Sequence, residues 1–447
     1  MKNIFLKAEP TESTYWNFDG KTGCNTMYIV ANVKTLNLEI FKESLKYIVK
    51  DIPMLACKIL KGYWRDKWQP IENFDVSQII ETISVDKNSF YEKAYAQFLQ
   101  LDEKRINLES EPALKVIIFY NEENEKKVII FCIHHALADG RGCCEVVKLI
   151  ANNYCTLLNN NRIVPQKNYR KMSKLLLSIN LINILKMIYT ELKNLFNPKL
   201  FKYLKPLIDA NSENTHDSNH ESIERIIVSK ENIIKLKSLY KDYGFTVNDI
   251  ILFLSTKLMS KYNRELKEPS EYVGAVMGMD LRRYLKKNIL SITNFAIMKF
   301  FIVGNSETND LPRMAENIKT FKNKLSGVGW EFINQVSLSK IFPVEITKYI
   351  SDKIAKFFII DGGSKMIITT NVGRIDDYVT SFGDIVESIT FIAGQPIYGF
   401  PLVTISGYKD TVTLYFSKYN DENNLTKKVR DDFNELLNEI ITKDLVK

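Results

Sequence analysis

Apolar and polar positions alternate along this chain with two periods, which predicts strands and helices in both halves. In the first half, Met27 to Lys34 reads as a strand and Asn37 to Lys50 as a helix. Leu114 to Tyr120 and Val128 to His134 read as a hairpin around Asn121-Glu122-Glu123-Asn124. The second of these is a near-continuous apolar run, as expected of a strand buried on both faces. An apolar-periodic stretch from Cys143 to Leu158 then predicts a helix. In the second half, Ile223 to Val228 is strand-like, and Glu231 to Tyr243 and Val247 to Tyr262 are helix-like. Further strands are expected at Tyr272 to Met277, Phe295 to Val303, Met366 to Asn371, Ile385 to Ile392 and Thr411 to Phe416. Asn424 to Leu445 closes the chain as a helix. Strands and helices do not alternate strictly, so the fold class is mixed α/β.

Between the halves, residues 209–222 contain almost nothing apolar and read as an exposed linker. His216 and His220 lie there at i,i+4 spacing, which would suit a metal site on a helix, but the polar composition favours a solvated loop. The chain of 447 residues is long enough for two packed domains. The division expected is 1–165, a crossover and linker over 166–222, and 223–447.

Charge changes the picture locally. Nine basic residues lie between Pro165 and Lys205 against Glu191 alone, a net of +8 that equals the formal charge of the whole chain. The basic excess therefore sits in one segment, and the rest of the chain balances. Apolar residues alternate with these cations at helical spacing over 171–196, which predicts an amphipathic helix with a basic stripe. Three readings stand side by side: a helix packed on its own domain, a peripheral contact of 167–205 with an anionic membrane, or a site for an anionic partner such as a carrier protein or coenzyme A. No recognition motif for nucleic acid accompanies the charge. No secretory signal and no apolar run of transmembrane length is expected. The six cysteines show no metal spacing and read as reduced thiols, so a cytoplasmic protein is expected.

The most informative chemistry is His134-His135-Ala136-Leu137-Ala138-Asp139-Gly140. Two of only four histidines stand together where a strand gives way to a helix. Alternation along a strand sends their side chains to opposite faces, so only one can face a given cleft. Imidazole titrates near neutrality and suits a general base. Asp139 can brace the turn through an arginine elsewhere, and Gly140 permits close approach. Cys143 and Cys144 follow closely, but small hydrophobes on a buried helix face explain them better than a nucleophile does.

His-His-x-x-x-Asp-Gly resembles the signature of the chloramphenicol acetyltransferase-like acyltransferases, which include condensation domains, plant BAHD enzymes, polyketide-associated acyltransferases and alcohol acetyltransferases. The resemblance implies two similar α/β domains forming a V around a tunnel. It makes His135 the general base, His134 a support and Asp139 a structural carboxylate. Met279-Asp280-Leu281-Arg282 resembles the family's Asp-x-Arg segment, which makes Arg282 the partner of Asp139, with Arg283 as fallback. Ser291-Ile292-Thr293-Asn294-Phe295 resembles the Gly-Asn-Phe segment, with Thr293 where glycine is usual and Asn294 as a polar wall of the tunnel. Thr246-Val247-Asn248-Asp249-Ile250 resembles the start of a family helix and is itself a capping pattern. Thr369-Thr370-Asn371-Val372-Gly373 resembles a Ser-Asn-x-Gly segment, which puts Thr370, with Asn371 beside it, at an oxyanion. The plant Asp-Phe-Gly-Trp-Gly segment is absent, and no adenylation or carrier module is attached. The implied activity is acyl transfer from an acyl-coenzyme A to an alcohol in a ternary complex, without metal or covalent intermediate. The alternatives are condensation of a carrier-bound phosphopantetheine thioester with an amine or alcohol, a catalytically silent binding protein, and a Cys-based transferase.

Overall fold

The computed structural model describes residues 5–101, 105–171, 204–208, 221–285, 289–323, 342–356, 363–419, 421 and 423–442, with the single positions 182, 185 and 189. Two mixed sheets organise it. The first is built from β1 (Thr26–Val33), β2 (Ile80–Ser84), β3 (Leu114–Asn121) and β4 (Asn124–His134). The second is built from β5 (Glu221–Val228), β6 (Tyr272–Asp280), β7 (Ala296–Gly304), β8 (Ile367–Arg374), β10 (Leu402–Tyr408) and β11 (Thr411–Tyr419), in the order β7-β6-β8-β10-β11-β5. The remaining strand, β9 (Val386–Ile392), pairs antiparallel with β1 and forms the edge of the first sheet, whose order is β9-β1-β4-β3-β2. By sequence β9 belongs to the second half, so one half completes the sheet of the other.

β4 lies between β1 and β3, with Thr26 opposite His134 and Leu114 opposite Ile133. Ile129 to Ile133 are buried on both faces, which explains the unbroken apolar run. Helix α3 (Gly140–Leu158) follows after a short turn and packs on α2 (Leu38–Asp51), with Val146, Val147 and Ile150 in the first core. Helix α4 (Val247–Arg264) starts on the anticipated capping box: Asp249 accepts the Thr246 backbone N–H at 2.8 Å, and Thr246 accepts the Asp249 N–H at 3.4 Å. Helix α6 (Leu425–Thr442) closes the second core through Val429, Phe433 and Leu437.

Several elements depart from the periodicity. Helix α1 (Pro10–Phe18) has no apolar period, and its buried side chains include Thr11 and Glu12. The segment expected as one helix from Glu231 to Tyr243 ends at Leu239 and continues as a tight turn closed by Gly244 at φ +66°. β10 went unread, although Val403 and Ile405 are buried. The amphipathic helix over 171–196 falls mainly outside the described residues. Ile182, Leu185 and Tyr189 are helical and exposed. His216 and His220 also lie outside. Among the described residues no helix is long and apolar enough to cross a membrane.

Candidate active site

β4 ends at His134, and His135 opens the turn that leads to α3. The two imidazoles diverge. His134 is fully buried; its Nδ1 accepts the Ala136 backbone N–H at 3.0 Å, so its proton sits on Nε2, which donates to Asp19 Oδ2 at 3.1 Å. Both ring nitrogens are thus engaged in holding the turn. Asp19 in turn accepts the Asn25 N–H at 2.9 Å, and Asn25 O accepts the His135 N–H at 2.7 Å.

His135 is half-buried, and its Nδ1 lies 2.9 Å from Asn294 Oδ1. The other side of that amide settles the protons. Asn294 Nδ2 donates to the carbonyls of His135 at 2.8 Å and Ala136 at 3.1 Å, two groups that only accept. Oδ1 must therefore face Nδ1, and Nδ1 must carry the proton. That leaves the Nε2 lone pair unprotonated, with no hydrogen-bond partner among the described residues. Tyr15 of α1 stacks on the ring at 3.7 Å and 10°, which fixes its plane and favours an imidazolium when one forms. Burial lowers the His135 pKa below its ordinary value and outweighs the opposing pull of Asp139 and Asn294, so the ring is uncharged at neutral pH.

Asp139 points away from the imidazole. It caps α3, with Oδ1 accepting the Gly142 N–H at 2.8 Å. Its Oδ2 accepts from Arg282 Nη1 at 2.8 Å and from the Phe295 N–H at 2.7 Å. Burial alone would raise its pKa; the guanidinium and these N–H donors hold it below the usual carboxylate range. Arg282 spends every donor: on Asp139, on Asp280 Oδ1 at 3.0 Å, twice on Ser291 O and once on Thr293 O at 2.7 Å. Burial works against its charge, and Asp139 and Asp280 outweigh that. Arg283 instead contacts Tyr284. The pairs Asp139–Arg282 and His135–Asn294 join the two halves of the chain.

Gly140 is required by space and not by backbone angle. A Cβ there would lie 2.7 Å from Val372 Cγ1 and 3.0 Å from Phe391 Cζ, so β8 and β9 press directly on the motif. Gly142 is as tight, 2.8 Å from Ala138 Cβ. Thr370 Oγ1 lies beside Gly278 on the neighbouring strand β6. The Asn371 amide is engaged by Asn248 and by the Gly373 N–H at 2.6 Å. Cys143 and Cys144 are fully buried, and burial pushes both thiols up, away from nucleophilic use.

Four positions go beyond the sequence reading. Asn294 is the proton-fixing partner of His135, not merely a tunnel wall. Arg170 is not a solvated member of the basic segment; it ion-pairs with fully buried Glu12, which also accepts Trp68 Nε1–H at 2.8 Å. Tyr15 and Asp19 had no signal, since neither stands in a pattern. Residues beside Arg170 reinforce the site: Asn168 exchanges hydrogen bonds with Ile292, and Ser291 Oγ donates to Tyr169 O at 3.0 Å.

The sequence model of the condensation domain matches residues 14–267, more than half of the chain. The chain belongs to the condensation-domain family. The match includes His134 to Gly140 and ends before Arg282. This condensation-domain protein also resembles solved structures along its whole length. A trichothecene 15-O-acetyltransferase from Fusarium sporotrichioides is 13% identical, with a TM-score of 0.69 over 98% of this chain and 95% of that one. The first condensation domain of the calcium-dependent antibiotic synthetase is 11% identical, with a TM-score of 0.68 over 98% and 96%. Polyketide synthase associated protein 5 from Mycobacterium tuberculosis is 12% identical, with a TM-score of 0.62 over 98% of each chain. No curated protein sequence matches the chain. At these identities the likeness shows the fold alone, a mixed α/β pseudo-dimer shared with the condensation domains.

Proposed function

We propose that this protein transfers an acyl group from an acyl-coenzyme A thioester to an alcohol, with His135 as general base. The observation that carries the reading is the Asn294 amide, which holds the proton on Nδ1 and leaves Nε2 free. In the proposed step Nε2 takes the hydroxyl proton as the oxygen attacks the thioester carbonyl carbon. The resulting oxyanion collapses, the carbon–sulfur bond breaks, and the leaving thiolate recovers the proton from Nε2. The Thr370 hydroxyl is the proposed donor to the oxyanion. It is two residues before Val372, which reaches the motif glycine. Asp139 and Arg282 brace the turn from outside the proton path, and His134 supports it from the opposite face. No step needs a metal or a covalent enzyme intermediate.

A cytoplasmic enzyme acting on a small acceptor fits this reading. An acceptor amine, or a donor held as phosphopantetheine thioester on a carrier protein, would use the same base. The test is thiol release from a panel of acyl-coenzyme A esters with short and long alcohols and amines, with His135→Ala as control. Turnover with alcohols that the substitution lowers about 10²–10⁴-fold supports the proposal. Turnover only with acyl-carrier protein overturns the coenzyme A donor. No turnover with any donor favours a binding protein of the same fold.

A further inference from the structure

Among the described residues, several exposed aromatic side chains gather on one face of the molecule. The strands Cys57–Leu60 and Lys67–Pro70 form a hairpin whose tip carries Tyr63 and Trp64, 72% and 58% exposed and packed edge-on at 5.4 Å. The turn is tight: the Gly62 N–H donates to Asp66 Oδ1 at 3.2 Å, and a Cβ on Gly62 would strike Arg65 O at 2.0 Å. Helix α5 (Val344–Ala355) abuts it, with the Val344 N–H donating to Tyr63 O at 2.9 Å and Glu345 paired with Lys61 at 2.8 Å. Ile346 and Tyr349 on this helix are exposed at 44% and 64%, and Phe342, two residues before it, at 36%. Helical spacing puts Ile346 and Tyr349 on one stripe, which Lys353 extends, its Nζ 5.5 Å from the Tyr349 ring. Phe5, also exposed, lies under Lys67 Nζ at 5.8 Å.

Charge on this surface has one prevailing sign. Apart from Lys61, which is paired, the cations Arg65, Lys67, Lys348 and Lys353 lie on the hairpin and the helix. Of the acids there, Glu345 is paired with Lys61, Asp352 with Lys21, and Asp66 is fully buried. Beside the tip a cleft of about 820 Å³ begins at Arg65 and is lined by Lys7, Lys167 and Lys171 against Glu9 and Asp51.

We propose that this face docks on an anionic lipid surface. The Trp64 and Tyr63 rings, more than half exposed at the tip of the hairpin, stand out from the fold. An amphipathic ring is most stable at the headgroup level of a bilayer, and lysines flanking an apolar stripe meet anionic headgroups from there. The cleft beside the tip gives a headgroup room. The hairpin and helix α5 lie outside segment 167–205, of which only Lys167 and Lys171 reach the face, at the cleft; the proposal does not depend on the acyl-transfer reading.

The experiment is co-sedimentation of the full chain with vesicles of phosphatidylcholine alone and with roughly 30% phosphatidylglycerol. The protein should pellet with the anionic vesicles, and less so at roughly 0.5 M salt, where exposed charges are screened. Tyr63→Ser/Trp64→Ser should weaken binding at least about tenfold, equivalent to about 1.4 kcal/mol. Ile346→Ser/Tyr349→Ser should act in the same direction; near-UV circular dichroism checks that both variants fold. Absence of binding at low salt, or equal binding to both vesicles, overturns the proposal. So does undiminished binding of the hairpin variant when Lys174→Gln/Lys186→Gln/Lys193→Gln abolishes it, which would place docking on the basic segment. Dimerisation that the hairpin substitutions abolish, without vesicle binding, also overturns it and makes a second copy the occupant.

Discussion

Asp139→Asn separates a brace from a catalytic carboxylate. The substitution keeps the shape of the side chain and removes its charge. Two of the three hydrogen bonds to Asp139 end on Oδ2, from Arg282 at 2.8 Å and from the Phe295 N–H at 2.7 Å. The amide keeps both if its oxygen takes that place, but its NH₂ then faces the Gly142 N–H, and the bond that capped α3 is lost. The charge that balanced Arg282 is lost as well, and breaking a buried ion pair from one side costs about 3–5 kcal/mol. Arg282 keeps Asp280 at 3.0 Å, so the low end applies, about 3 kcal/mol. Thermal unfolding followed by circular dichroism should show Tm falling by roughly 5 °C or more. The difference depends on pH in a defined direction. The folded-state pKa of Asp139 is depressed, so its contribution is fully present above the unfolded value near about 4 and is lost as pH falls through the lower folded value. Wild type and variant should therefore converge in acid. An unchanged Tm together with a rate loss as large as that of His135→Ala would refute the bracing role.

Asn294→Asp puts a carboxylate against His135 Nδ1. The acid limb of the kcat/KM–pH profile should lie below about 6.5 in wild type, since burial depresses the imidazole, and should move up in the variant. Gly140→Ala should destabilise by about 1–3 kcal/mol in urea unfolding, because Val372 and Phe391 occupy the space of the new methyl. Thr293→Val should be neutral or stabilising by up to about 1 kcal/mol, since the Thr293 hydroxyl is buried with no hydrogen-bond partner among the described residues; a clear loss in the same assay would reveal one.

The centre of the first sheet, β1, β4 and β3, was legible because β4 is apolar on both faces and α3 follows at a helical period, whereas the short edge strand β2 carries no clear alternation. The capping box of α4 was legible because Thr246 and Asp249 interact within one turn. Helix α1 was not: it is held by Glu12 against Arg170 and Trp68, contacts 158 and 56 residues apart that leave no local period. The same limit governs the site. His135 and Asp139 announce themselves within one turn of chain. Tyr15 and Asp19 are ordinary residues whose importance arises only when α1 and the following loop come to rest on the histidines. Asn294 was noticed as polar, but its role depends on two backbone carbonyls of a distant turn. β9 read correctly as a strand, yet nothing local told which sheet it would join.

The central claim is that Asn294 keeps the His135 proton on Nδ1 and so leaves Nε2 as the base. With only four histidines in the chain, ¹⁵N-histidine NMR can resolve this ring, with His135→Gln assigning the signal. The account predicts a neutral imidazole at pH 7 protonated on Nδ1, and a shift toward mixed tautomers in Asn294→Ala. A His135 ring protonated on Nε2 in the wild type would contradict it.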